Sequence, residues 1–185
     1  IQAPVCTNFA SAWQSNTALA TIDPAANFGE SASNVDFTDA FRTSGLTALP
    51  AGLDMSSGDD FGNTFYQCTS LTTIGSGVLL GTAHATATVD YAGLFNGATS
   101  LAALPSGFDL SKGNSLRFAF NNCPSLTTIG SGVLLGTAAS SVDFTSTFQS
   151  CASLAALPDN LDLSQGDKFN DAFYGCTSLA TIGTG

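Results

Sequence analysis

The side chains able to do chemistry are few, and most stand in columns. Cys68, Cys123, Cys151 and Cys176 each follow a phenylalanine by three residues and precede a leucine by three. Such thiols could hold a metal, pair as disulfides or fill a core. The same place holds Asn16, Ser44 and Ala98 elsewhere in the chain. It therefore asks for something small, and buried free thiols are expected. A ladder interrupted by Ala and Ser is not a bonding framework. Cys6 lies outside the column, free or paired beyond this segment. The lone histidine, His84, sits in a Gly/Ala/Thr connection and supplies neither a zinc cluster nor a Ser-His-Asp site. Asp54, Asp109 and Asp162 recur in an L-D-[LM]-S motif, and Asp36, Asp90 and Asp143 each precede an aromatic or its equivalent. Turn formation and charge at a helix start account for both sets. Calcium bridging needs several oxygens converging on one ion. Members of one column fall on alternate coils, roughly 10 Å apart by strand spacing. No metal, cofactor or catalytic residue is therefore expected, and the chain does not read as an enzyme.

The element that positions these columns is a repeat. SLTTIGSGVLLGTA occurs at 70–83 and again, unchanged, at 125–138. Around it runs a unit of aromatic, small residue and leucine, anchored at Trp13, Phe41, Phe65, Phe95, Phe120, Phe148 and Phe173. The anchors step by 28, 24, 30, 25, 28 and 25 residues, so short and long connections alternate. Short ones read LPAGLDMSSGDDF, and long ones IGSGVLLGTAASSVDF. The repeat covers 1–185 as one solenoid domain, with 1–34 as a divergent first unit of the kind that caps an array. The start at Ile1 and the stop within SLATIGTG read as an excised piece of a longer chain.

Within each unit two apolar residues stand four apart: Phe37/Phe41, Phe61/Phe65, Tyr91/Phe95, Leu116/Phe120, Phe144/Phe148 and Phe169/Phe173. That spacing places both on one face of a short helix. Ser56 and Ser57, Ser111 and Ser164 suit its N-cap. An extended segment follows, carrying Leu71/Ile74, Leu101/Leu104, Leu126/Ile129, Leu154/Leu157 and Leu179/Ile182, and Pro50, Pro105, Pro158 or Gly-Ser-Gly breaks it. The expected fold is an α/β repeat: a leucine-rich-repeat solenoid of about seven coils of 24–30 residues.

The pattern F-x-x-C-x-S-L-x-x-[LI], clearest at Phe120–Ile129, Phe148–Leu157 and Phe173–Ile182, resembles the BspA-like repeats of bacterial surface antigens. Ala12–Asn16 resembles an AW-x-x-[NC] variant found in tail fibres of marine phages. The resemblance implies an extracellular, cell-surface or virion protein that adheres or recognises. It carries no catalytic residues to transfer. The apolar GVLLGTA segment departs from the family pattern.

Two rows are candidates for contact. The residue after each anchor aromatic reads Gln14, Arg42, Tyr66, Asn96, Asn121, Gln149, Tyr174, polar throughout and suited to a glycan or protein receptor. A second row holds only Ala and Thr: Thr72, Thr73, Ala102, Ala103, Thr127, Thr128, Ala155 and Ala156 belong to it. A strip so flat could lie against a sister chain. An ice-binding face would not lapse to Ala-Ala on alternate coils.

Charge narrows the partners. Four basic against fourteen acidic residues give a net charge of −10. Nucleic acid and anionic membrane are poor partners for such a surface. No apolar run nears the ~20 residues of a membrane helix, so no insertion is expected. The expected function is a non-catalytic recognition or adhesion module. The alternative is a structural block of an oligomeric fibre or sheath.

Overall fold

The computed structural model describes residues 6–28, 34–83 and 88–183. The chain winds as a parallel β-solenoid. The repeat solenoid expected from the sequence is present, but it is not an α/β leucine-rich repeat, because no α-helix occurs among the described residues. Each coil has a run of tight turns followed by three very short strands. The first strand position is Ala48–Leu49, paired with Thr73–Ile74, and likewise Ala103–Leu104 with Thr128–Ile129. The second stacks Asp54–Met55, Leu79–Leu80, Asp109–Leu110 and Leu134–Leu135. The third stacks Val35–Asp36, Gly58–Asp60, Val89–Asp90, Gly113–Ser115, Val142–Asp143 and Gly166–Lys168. Every pairing is parallel and joins neighbouring coils. The six strands of the third sheet bound about five turns rather than seven coils. The last anchor, Phe173, lies beyond the sixth strand of that sheet, and the Trp13 unit joins the stack only through an isolated bridge between Asn8 and Asp36.

The segments read as helices are ribbons of consecutive turns. In one coil the N–H groups of Phe61, Asn63, Phe65 and Gln67 donate sideways to Asp90, Ala92, Leu94 and Asn96 of the next, at 2.7–2.9 Å. The alternate N–H groups of Thr64, Tyr66 and Cys68 bond back three residues, to Phe61, Asn63 and Phe65. Asn63 and Gln67 have φ of +54° and +52°, as the third residue of a type II turn requires. The left-handed residue recurs every fourth position: Asp39/Thr43, Gly93/Gly97, Phe118/Asn122, Ser146/Ser150, Asp171/Gly175. A period of four therefore puts Phe61 and Phe65 on one side, as a helix would, while the backbone bonds between coils. The serines expected to cap helices lie instead between strands. There Ser56, Ser111 and Ser164 donate their N–H to Oδ1 of Asp54, Asp109 and Asp162 at 2.8–2.9 Å.

Stacked coils bring equivalent side chains into ladders. Trp13, Phe41, Phe65, Phe95, Phe120, Phe148 and Phe173 form one, with ring centroids 4.8–5.7 Å apart. Phe9, Phe37, Phe61 and Tyr91 begin a second, which Leu116 interrupts and Phe144 and Phe169 resume. Tyr91 is wholly buried, and its hydroxyl donates to the Leu80 carbonyl at 2.6 Å. Burial, reinforced by the charge of Asp109, pushes that phenol well above its ordinary pKa. Phe28 stands edge-on against Phe9, Trp13, Phe37 and Phe41, beside the first two rings of both ladders. At the other end Phe169 is 44% and Ile182 76% exposed.

Candidate recognition surface

The polar row lies on the turn ribbon, one residue beyond each anchor aromatic. The aromatic points into the core, so its successor is turned outward. Arg42, Tyr66, Asn96, Asn121 and Gln149 are half-buried, and Gln14 and Tyr174 exposed, the latter by 67%. Their backbone is fixed from below: the carbonyls of Arg42, Tyr66, Asn96, Asn121, Gln149 and Tyr174 accept N–H bonds at 2.7–2.8 Å from Ser15, Thr43, Gln67, Gly97, Asn122 and Ser150. Side chains touch along the row. The Arg42 guanidinium lies 4.7 Å over the Tyr66 ring and also contacts Asp39 at 3.2 Å. The Asn121 amide donates to Gln149 Oε1 at 2.8 Å. The row is thus a pre-ordered line of amide, aromatic and guanidinium groups, which can bind polar ligands without ordering a loop.

The Ala/Thr strip lies on the first sheet. Thr73 pairs in register with Ala48, and Thr128 with Ala103, while Ala156 and Thr181 form an isolated bridge. Leu49, Ile74, Leu104 and Ile129 point inward, so the strip points out. Its members are exposed except for half-buried Ala103. Thr72 and Thr127 turn their hydroxyls onto the carbonyls of Thr47 and Ala102, at 3.0 and 3.1 Å. Thr127 and Thr128 also contact one another at 3.3 Å. Two of the four strip hydroxyls are therefore spent on the stack itself.

The thiol column is unpaired, with Cys68, Cys123 and Cys151 buried and Cys176 half-buried. Cys68, Cys123, Cys151 and Cys176 are free, and their Sγ atoms donate to the carbonyls of Phe41, Phe95, Phe120 and Phe148 at 3.0–3.3 Å. Burial pushes all four thiols up, Cys123 to about 12. Thiolate is the reactive form, so in the native chain Ellman's reagent at pH 8 should modify exposed Cys6 promptly. Cys68, Cys123 and Cys151 should react only after denaturation. Prompt loss of Cys123 from the native chain would show an open column.

The acidic columns form turns. Asp36, Asp90 and Asp143 accept N–H bonds at 2.8–2.9 Å from Thr38, Ala92 and Thr145. The sequence reading missed Asp60, which fills the gap between two of them: Asp36 pairs with Asp60, and Asp60 with Asp90. Burial, with the charge of Asp60 adding to it, raises the Asp90 carboxyl. Asp143 is also opposed by burial, but hydrogen bonds from Thr145 and Lys168 outweigh it and hold the carboxyl low. Hydrogen bonds from Ser164 lower Asp162. Among the described residues no three His, Cys, Asp or Glu side chains are grouped to hold a metal ion. His84 lies outside the described residues.

Beside Asp60 and Asp90 the ribbon carries an open notch of about 380 Å³ that also touches Asn63, Asn96, Arg117 and Phe118. Of these only Asn96 belonged to the sequence-expected row. The notch requires small residues, Gly62, Ala92 and Gly93, in two adjacent coils and large ones in the next, a juxtaposition that the repeat alignment alone does not rank.

Among the described residues no helix is long and apolar enough to cross a membrane. Comparison with protein-family models, curated proteins and solved structures finds no match.

Proposed function

We propose that the chain is a non-catalytic extracellular recognition module that meets a glycan or protein receptor through the row Arg42, Tyr66, Asn96, Asn121, Gln149 and Tyr174. The observation that carries this reading is the row's rigidity: each backbone position is tied to the adjacent coil, and amphipathic side chains stand outward in line. Aromatic and arginine side chains of this kind dominate binding energy at protein surfaces. The motif resemblance to BspA-like surface antigens, and to phage tail-fibre repeats, supports a place on a cell surface or virion.

The competing reading is a structural block whose uncharged strip, Thr72 to Ala156, packs on sister chains. Light scattering separates the two. A recognition module is expected to run as an 18.7-kDa monomer, unchanged by calcium. A defined oligomer that dissociates on Thr73→Lys with Thr128→Lys would move the functional surface to the strip.

A further inference from the structure

We propose that the notch bounded by Asn63, Asp90 and Phe118 is the subsite for one neutral sugar ring. This deepens the recognition reading and rests on it. The notch exists because two adjacent coils carry small residues, Gly62, Ala92 and Gly93, beside the large Arg117 and Phe118 of the next. At the Ala92 position the preceding coil has Gly62, whereas other coils have Thr38, Arg117, Thr145 and Asn170, and where the Ala92 coil has Gly93, others have Asp39, Asn63, Phe118, Ser146 and Asp171. Asn63 leans across the space that a side chain on Gly93 would take. The resulting volume, about 380 Å³, falls at the lower end of the range for small-molecule sites.

Its walls offer complementary chemistry. Asp60 and Asp90 are held at the rim by Oδ1 bonds from Gly62 and Ala92 N–H, at 2.9 and 2.8 Å. Carboxylates accept from sugar hydroxyls, and the amides of Asn63 and Asn96 both donate and accept. Phe118 supplies an apolar ring for the C–H face of a pyranose, and the Arg117 guanidinium packs 5.0 Å from that ring's centroid. Two carboxylates against one guanidinium disfavour an anionic sugar.

Phe118 provides the independent sign. Its φ is +58°, a left-handed conformation that is an outlier for a bulky residue. Every equivalent position holds Ser, Asp, Asn or Gly. Phe118 is half-exposed, so full core burial does not explain the choice. Strain kept at a ligand-lining residue is a mark of function.

The test is a ¹H–¹⁵N NMR titration of the whole chain with methyl glycosides of glucose, galactose and mannose, and with tetramethylammonium as a cationic control. At least one glycoside is expected to shift the side-chain amides of Asn63 and Asn96 and the Gly93 N–H. Affinity should fall at least tenfold in Ala92→Arg, a residue the adjacent coil already carries, and in Phe118→Asn. The second variant is expected to keep or raise Tm, because asparagine tolerates the left-handed conformation. Response to tetramethylammonium alone, or to no probe, would overturn the subsite, as would glycoside binding undiminished in both variants. If the chain still binds a glycan array through Tyr66 and Tyr174, the subsite fails and the recognition reading survives.

Discussion

Phe95→Ala is expected to cost about 3–5 kcal/mol of stability, the range for emptying a well-packed aromatic site. Phe95 is wholly buried and stacks between Phe65 and Phe120 at 5.3 and 5.7 Å, with Phe108 against it at 6.3 Å. Its neighbours cannot close the gap, because lateral hydrogen bonds set the coil spacing: Phe65 N–H of the preceding coil donates to the Leu94 carbonyl, and Phe95 N–H donates to the Ala119 carbonyl of the next. Each coil packs only on adjacent coils, so the defect falls in the middle of the stack. Phe173→Ala is the internal comparison. That ring is only half-buried in the last unit and should cost far less. Chemical denaturation of both variants measures the difference, and equal costs would mean that the ladder does not carry the core.

A single methyl group at Gly130 is expected to be nearly as damaging, about 3 kcal/mol at the upper end for overpacking. A Cβ there would stand 2.5 Å from the Ser106 nitrogen, 2.7 Å from the Pro105 carbonyl carbon and 2.8 Å from the Ser106 Cα. All three atoms are backbone of the adjacent coil, which no rotamer change can move aside. Gly132, two residues on, is the control. Its Cβ would meet nothing closer than the Gly107 nitrogen at 4.0 Å, but its φ is +70°. Gly132→Ala should therefore cost only about 1–2 kcal/mol, the left-handed penalty. A Gly130→Ala denaturation midpoint equal to that of Gly132→Ala would contradict the close coil approach.

Much of this molecule was legible in its repeat. The aromatic pairs Phe37/Phe41 and Phe61/Phe65 were placed on one face, and that face is buried. The cysteine column was read as small core residues, and its buried members are free thiols. The helix was wrong because spacing four is shared by a helix and by successive type II turns, and apolar periodicity cannot separate them. Another column does. Two residues after Phe61 and Phe65 come Asn63 and Gln67, and after Tyr91 and Phe95 come Gly93 and Gly97. Residues such as Asn, Asp, Gly and Ser every fourth position favour turns, whereas a helix would draw on Ala, Leu, Glu and Lys.

The third sheet was hidden for a different reason. Its strands alternate between Val-Asp and the polar Gly-Asp-Asp, Gly-Asn-Ser and Gly-Asp-Lys, so no apolar signature recurs from coil to coil. Asp60 was lost with it, and with Asp60 the notch. The two surface rows were readable as columns. Their placement on the ribbon and on the first sheet needed the coil path.

If the ordered row, rather than the strip, meets a receptor, binding must depend on its two tyrosines. The direct measurement is binding of the wild-type chain and of Tyr66→Ala with Tyr174→Ala to a glycan array and to immobilised host-surface protein. Loss of one or two aromatic anchors typically costs about 2 kcal/mol or more of binding. The double variant should keep its fold and lose at least tenfold in affinity, while Thr73→Lys with Thr128→Lys binds like wild type. Binding that survives in the tyrosine variant and disappears in the lysine variant would contradict the account.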